Sequence, residues 1–225
     1  MSQTDVQHLM RRLTRVWTEF ESRLLTVPII RDARESRLRL ADYRMLLKDH
    51  YAQVLDGSAW IARAASSVTR PHLELRSQFL RHAVTEHRDY AMLAHDYTAC
   101  DGDPSDLDAA RKNIGSVALS AWMFQRASQP NPFDLMGAMF IIEGLGQWFA
   151  RTFAEAVTDA LSLTDEQVTF YRYHADHDPD HLNELEAALG SGILDTPGMA
   201  DAIVETATVT ARLYLLQLEE VGHYG

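Results

Sequence analysis

The stretch His174-Ala-Asp-His-Asp178-Pro-Asp-His181 sets two imidazoles and a carboxylate at i, i+4 and i+7 (His174, Asp178, His181), the spacing that brings side chains onto one face of a helix. Imidazole nitrogen and carboxylate oxygen together form a metal-binding donor set. A second co-facial set follows the same rule. The stripe Leu75, Phe79, His82, Glu86, Asp89, Leu93 begins and ends apolar and carries three potential ligands in its middle. A third candidate, Glu143, lies within Phe133-Asp-Leu-Met-Gly-Ala-Met-Phe-Ile-Ile-Glu143-Gly-Leu-Gly-Gln-Trp-Phe-Ala, apolar on most sides. Its neighbours at helical spacing are Phe140, Met139, Met136, Gly146 and Ala150, which predicts burial, and a buried carboxylate needs a cation, a metal or a proton.

Three helices thus offer one interior the imidazoles of His82, His174 and His181 and the carboxylates of Asp89, Glu143 and Asp178, with Glu86 one turn from both His82 and Asp89. Mixed nitrogen and oxygen donors without sulfur suit iron or manganese better than structural zinc. Inward carboxylate and histidine pairs in a helical bundle are a setting for di-iron chemistry, although the spacings on these helices differ from the ferritin-like Glu-x-x-His. Taken singly, a helical histidine is more often packed or solvated than ligating. The expectation of a metal site therefore rests on the conjunction of three sets.

Other polar groups carry less. His87 and His95 fall off the inward stripe, and His177 and Asp180 should face away from the proposed ligands. His50 lies on the apolar stripe of its helix with Tyr43, Leu47 and Val54. It reads first as a hydrogen-bonded core histidine and second as a contact to ligands or substrate. Tyr43, Trp60, Trp122, Phe140 and Trp148 read as core, with a pocket lining as the other option.

The elements that must position these residues are all helical, since apolar residues recur at helical spacing and nowhere in a sustained two-residue alternation. Helices are expected over about Val6–Leu25, Ala41–Ala65, His72–Ala99 and Ser105–Arg126. A fifth starts at Asn131-Pro132, with a capping side chain, a proline at the first position and Asp134 in the first turn, and runs to about Leu161. The capping-box spacing Thr164-Asp-Glu-Gln167 opens a sixth, in which Pro179 forces a break or restart. A last helix spans about Pro197–Gly222. Gly137, Gly144 and Gly146 would let another backbone approach the fifth.

A chain of 225 residues, 46% hydrophobic and 24% charged, is expected to fold as one domain over 1–225. A net charge of -11 disfavours nucleic acid and anionic membrane surfaces and leaves a small molecule or another protein as partner. Cys100 is the only cysteine and the polar start lacks a secretory pattern, so a cytoplasmic location is expected. The apolar run Leu135–Ile142 is far shorter than the roughly 18 residues that signal a membrane span.

The order of these motifs resembles the haem-oxygenase-like fold, and more narrowly its di-iron oxidases, also known as iron-containing redox enzymes and related to TenA and PqqC type proteins. That family carries a carboxylate-x6-His pair, then a Glu on an apolar helix, then His-x3-Asp-x2-His. Glu143 within Phe140-Ile-Ile-Glu-Gly and His174, Asp178 and His181 match the second and third. The first departs: His82-x6-Asp89 has the two ligand types in reversed order, and Glu86 is placed to substitute for either. The likeness extends from about Leu40 to Leu215.

The resemblance implies a bundle of about seven helices, Fe(II), two per chain, held by His82, Asp89, Glu143, His174, Asp178 and His181, and O2 as co-substrate. Glu143 and Glu86 would serve catalysis. It also implies oxidation of C–H, C–C or N–H bonds in an amino-acid-like or fatty-acid-like small molecule, and it suggests a homodimer. A haem is not expected, because only His8 lies near the position of a haem ligand on the first helix, and Cys100 is a poor match for the cysteine of thiaminase-like members. A cofactorless oxidase of the PqqC type and a non-catalytic binding protein are the alternatives.

Overall fold

The computed structural model describes residues 3–222, with side chains over 5–177 and 185–222. The described residues are helical and include no strand. In chain order the helices are α1 (Gln3–Leu24), α2 (Pro28–Arg34), α3 (Leu40–Val54), α4 (Gly57–Ser67), α5 (Leu73–Glu86), α6 (Tyr90–Ala99), α7 (Ser105–Asp108), α8 (Ile114–Ala127), α9 (Leu135–Gly144), α10 (Arg151–Leu161), α11 (Thr169–Leu189) and α12 (Met199–Glu219). Among the described residues no helix is long and apolar enough to cross a membrane.

Three of the expected long helices are divided. The span 41–65 breaks before Gly57 into α3 and α4, and 105–126 breaks into α7 and α8, where Asn113 caps the second piece by accepting from Ser116 N at 2.9 Å. The span 72–99 breaks at His87–Asp89, yet Asp89 keeps a helical conformation (φ -64°, ψ -26°). The chain therefore turns at the candidate ligands without losing the helical hand. The short α2 was not anticipated; Pro28 opens it and Ile29, Ile30 and Ala33 anchor it in the core.

Two capping expectations are corrected. Asn131 adopts a positive φ of 52° and its side chain accepts from Thr69 N at 2.7 Å, so it ties the loop after α4 and leaves Asp134 beside the start of α9. The Thr164–Gln167 box does form, but it closes only a 3-10 turn (Asp165–Gln167). The start of α11 is capped from elsewhere by Asp96 of α6, which accepts from Thr169 N at 3.1 Å, Thr169 Oγ1 at 2.5 Å and Phe170 N at 3.0 Å.

The break expected at Pro179 is absent, since α11 continues to Leu189. Phe170, Tyr171 and Ala175 before the proline and Leu185, Ala188 and Leu189 after it are buried in the same core, and tertiary packing of that kind offsets one lost N–H bond.

The helix α12 packs against α1, α8 and α9. Close approach is built into two contacts. A Cβ on Gly137 would fall 1.9 Å from the Ile203 carbonyl oxygen, and one on Gly115 would fall 2.2 Å from the Gln217 nitrogen. Gly144 serves differently, because a Cβ there would strike the indoles of Trp148 and Trp17.

Between α9 and α10 the helix widens into a π segment (Leu145–Ala150), directly after Glu143 and Gly144. Such insertions reset the register of a helix and recur at functional sites. Leu145, Gly146, Phe149 and Ala150 of this segment line the cavity described next.

Candidate metal centre

The helices α3, α4, α5, α9, α11 and α12 and the π segment enclose a cavity of about 140 Å³. One end is polar. There His82, Glu86, Asp89, Glu143 and His174 all reach the wall, while the remainder is largely apolar and includes Leu46, Trp60, Ile142, Phe149, Phe153 and Phe170.

The polar end has two groupings. Glu86, Asp89 and His174 each bring a ligand atom within 4.8 Å of the others, close enough to share one metal ion. Asp89 Oδ2 lies 3.5 Å from His174 Nε2, and that oxygen is buried without a hydrogen bond among the described residues. The second grouping is a pair, His82 Nε2 to Glu143 Oε1 at 3.0 Å, with both residues buried. His82 and Glu86 sit one turn apart on α5, so the groupings share a helix and a cavity.

The structure thus brings His82, Glu86, Asp89, Glu143 and His174 to one place. Asp178 and His181 lie outside the residues whose side chains are described. His87, His95 and His177 are exposed, as is His8 on α1. Trp60 lines the cavity, Tyr43 and Phe140 are core, and Trp148 stays partly exposed.

The donor set fits iron. Three carboxylates and two imidazoles converge without a thiol, a hard-to-borderline set suited to Fe(II) or Mn(II). Asp89 supplies what Asp96 and Asp134 lack, a buried oxygen without a hydrogen bond among the described residues. Cys100 is buried at the end of α6 and does not line the cavity; burial pushes its thiol up to about 11, which makes it a poor nucleophile or ligand.

Sequence reasoning missed the cluster beside the polar end. His50 Nδ1 stands 3.3 Å from the Tyr171 hydroxyl and His50 Nε2 stands 3.3 Å from the Tyr214 hydroxyl. Burial, and then the His174 charge, push the His50 imidazole down to about 4, so it is neutral at pH 7. Burial likewise holds the Tyr171 phenol protonated well above its ordinary range, with Tyr214 and Asp96 adding to the effect. A signal for Tyr171 existed, because it is three residues before His174 on the same helix, whereas nothing local points to Tyr214.

The fold and site define a haem-oxygenase-like helical protein, and comparison with known proteins agrees. The chain belongs to the iron-containing redox enzyme family, whose model matches residues 44–215. Among solved structures, a domain of unknown function with a haem-oxygenase-like fold from Shewanella denitrificans OS217 is 18% identical, with a TM-score of 0.87 over 98% of this chain and 92% of that one. A TenA homologue from Pseudomonas syringae pv. tomato DC3000 is 17% identical, with a TM-score of 0.75 over 94% and 91% of the two chains. A TenA homologue from P. horikoshii OT3 is 14% identical, with a TM-score of 0.75 over 96% and 99%. No curated protein matches the sequence significantly.

Proposed function

We propose that this protein is a non-haem iron oxidase or oxygenase that uses O2 to oxidise a small molecule held in the helical cavity. One observation carries the reading: Glu86, Asp89 and His174 converge to within 4.8 Å in the wall of a largely apolar cavity that also receives the His82–Glu143 pair. Glu86, Asp89 and His174 would hold one iron, and His82 with Glu143 would contribute to a second, to which Asp178 and His181 are assigned by motif alone. When bound, iron supplies the electrons that O2 needs to become an oxidant.

The chain's own residues do the rest. Placing carboxylates against imidazoles lets the site exchange a hydrogen-bonded pair for metal ligation without exposing charge, as at His82 and Glu143. Asp96 fixes the first turn of α11 and with it the direction from which His174 enters. The largely apolar walls lower the polarity around the ligand groups, which strengthens charge interactions there.

The test is an anaerobic Fe(II) titration of the full-length protein, followed by O2 uptake in an electrode cell. Two equivalents bound and O2 consumed only by the loaded protein are the expected results, with Glu143→Ala losing at least one equivalent. Failure to retain iron would sink the proposal, and O2-dependent turnover without metal would replace it with the cofactorless alternative.

A further inference from the structure

The cavity is lined by one amide that neither the ligand set nor the His50–tyrosine cluster uses. Gln53 of α3 lies about one turn after His50 and lines the cavity together with Leu119 of α8. None of the candidate ligands belongs to α8, so Gln53 is a polar point on a different wall from the metal end.

A chain of hydrogen bonds fixes which end of this amide faces α8. Lys112, half-buried just before that helix, pairs with Asp56 and donates to Ser120 Oγ at 2.7 Å. An ammonium has donors only, so the serine oxygen accepts there and its single proton is left for Gln53 Oε1, 3.3 Å away. Flipping the amide would set its N–H groups against the serine proton. With the oxygen committed to Ser120, Nε2 and its two N–H groups turn away from α8, and Nε2 makes no hydrogen bond among the described residues. Ser120 is buried, which strengthens each link of the chain. The Asp56–Lys112 pair thus reaches the cavity as the polarity of a neutral amide.

We propose that Gln53 is a specificity-determining residue whose Nε2 donates to a carbonyl oxygen of the substrate, that of a ketone, an amide or a carboxyl group, held apart from the bond that is oxidised. A hydrocarbon of the same shape would strip water from Nε2 and leave the donor unpaired, and an unpaired donor in a largely apolar space discriminates strongly. The proposal rests on the oxidase reading for turnover. For binding it depends neither on that reading nor on what the metal end receives.

Acetophenone and α-methylstyrene test it, since they share a skeleton and differ by C=O against C=CH2. Single-ring probes suit the cavity, whose volume of about 140 Å³ is close to the roughly 150 Å³ that accepts benzene in another protein. Affinities are measured by anaerobic calorimetry at pH 7 on the full-length protein, as purified and again after metal removal. In both states Gln53→Met should weaken acetophenone by about tenfold more than α-methylstyrene. Ser120→Ala keeps Gln53 but frees its amide to turn, and it should shift the same ratio in the same direction by several-fold. Gln53→Glu, which replaces the donor with an acceptor, should reproduce the loss and serves if the methionine variant fails to fold. Equal effects of the Gln53 substitutions on the two probes overturn the proposal, as does failure of the wild type to bind acetophenone. An effect of Gln53 that persists in a protein unable to retain iron defeats the oxidase reading alone.

Discussion

Four buried acids of this protein divide into two kinds. Asp96 and Asp134 are 0% and 4% exposed, and Asp89 and Glu143 are 6% and 5% exposed, so burial does not distinguish them. Their partners do. Asp96 takes three hydrogen bonds at the start of α11, and Asp134 Oδ2 takes Arg126 Nε at 2.7 Å and Thr206 Oγ1 at 2.8 Å. Asp89 and Glu143 instead face imidazoles across a cavity, and Asp89 keeps an oxygen without a hydrogen bond among the described residues. The first pair holds helices together. The second faces imidazoles in the cavity wall, an arrangement in which a carboxylate and its partner could share a metal ion.

Removing one member of each kind should separate them most sharply. Asp89→Ala or Glu86→Ala is expected to weaken iron binding by more than the roughly 10–100-fold seen when groups behind the ligands are lost, with metal-free thermal stability unchanged or higher. Equilibrium dialysis and calorimetric melting measure the two quantities. Asp134→Ala should leave iron affinity alone and cost about 2–3 kcal/mol, because Arg126 and Thr206 lose their partner. That corresponds to a melting temperature lower by roughly 5–10 °C in a chain of this size. Iron loss in the Asp134 variant would erase the distinction.

Asp96→Ala probes the boundary between the kinds, since a structural acid there orients a ligand helix. Leaving three donors at the start of α11 without their acceptor should cost about 2 kcal/mol in denaturant unfolding. Because His174 lies one turn beyond Phe170, iron affinity should fall by several-fold, within the roughly 10–100-fold range for supporting groups. Unchanged iron affinity would show that α11 is held by its flank and not by its cap.

The partners of the first kind of carboxylate escaped sequence reasoning, although Asp134 was legible as an acid at a helix start. His82, Glu86 and Asp89 could be read as co-facial because i, i+4, i+7 spacing survives the turn at His87–Asp89, where Asp89 keeps helical dihedrals. Glu143 was legible because an acid amid Met139, Phe140, Ile141 and Ile142 has no solvated face to occupy. Asp96 was not, since its cap reaches across 73 residues to Thr169. For the same reason the partners of His50, 121 and 164 residues away, left no trace in local pattern, although the placement of His50 on an apolar stripe did. Fold class came from periodicity, which is local. Helix breaks at Gly57 and before Asn113 depend on how the pieces pack against α8, α9 and α12, which is not.

His50 adds a third case to the comparison, a half-buried base kept neutral by its surroundings, and pH can reveal it. Its imidazole titrates at about 4 in the folded protein against 6.5 ordinarily, with desolvation as the larger cause. Between those values the unfolded chain binds more protons than the folded one, so stability falls as pH drops from 6.5 toward 4 and rises again with pH. The full shift would exceed 3 kcal/mol by about 1.36 kcal/mol per unit, but the residue is half-buried beside a cavity that admits water, which reduces the expected contribution to about 1–2 kcal/mol. Asp96 acts in the opposite sense, because burial raises its carboxyl above 3.8 and makes the folded state the better proton acceptor there. The difference between wild type and His50→Phe isolates the histidine. Urea unfolding of both at pH 6.5 and pH 4.5 should show the variant losing less stability than wild type, and equal losses would mean that His50 is solvated in the folded protein.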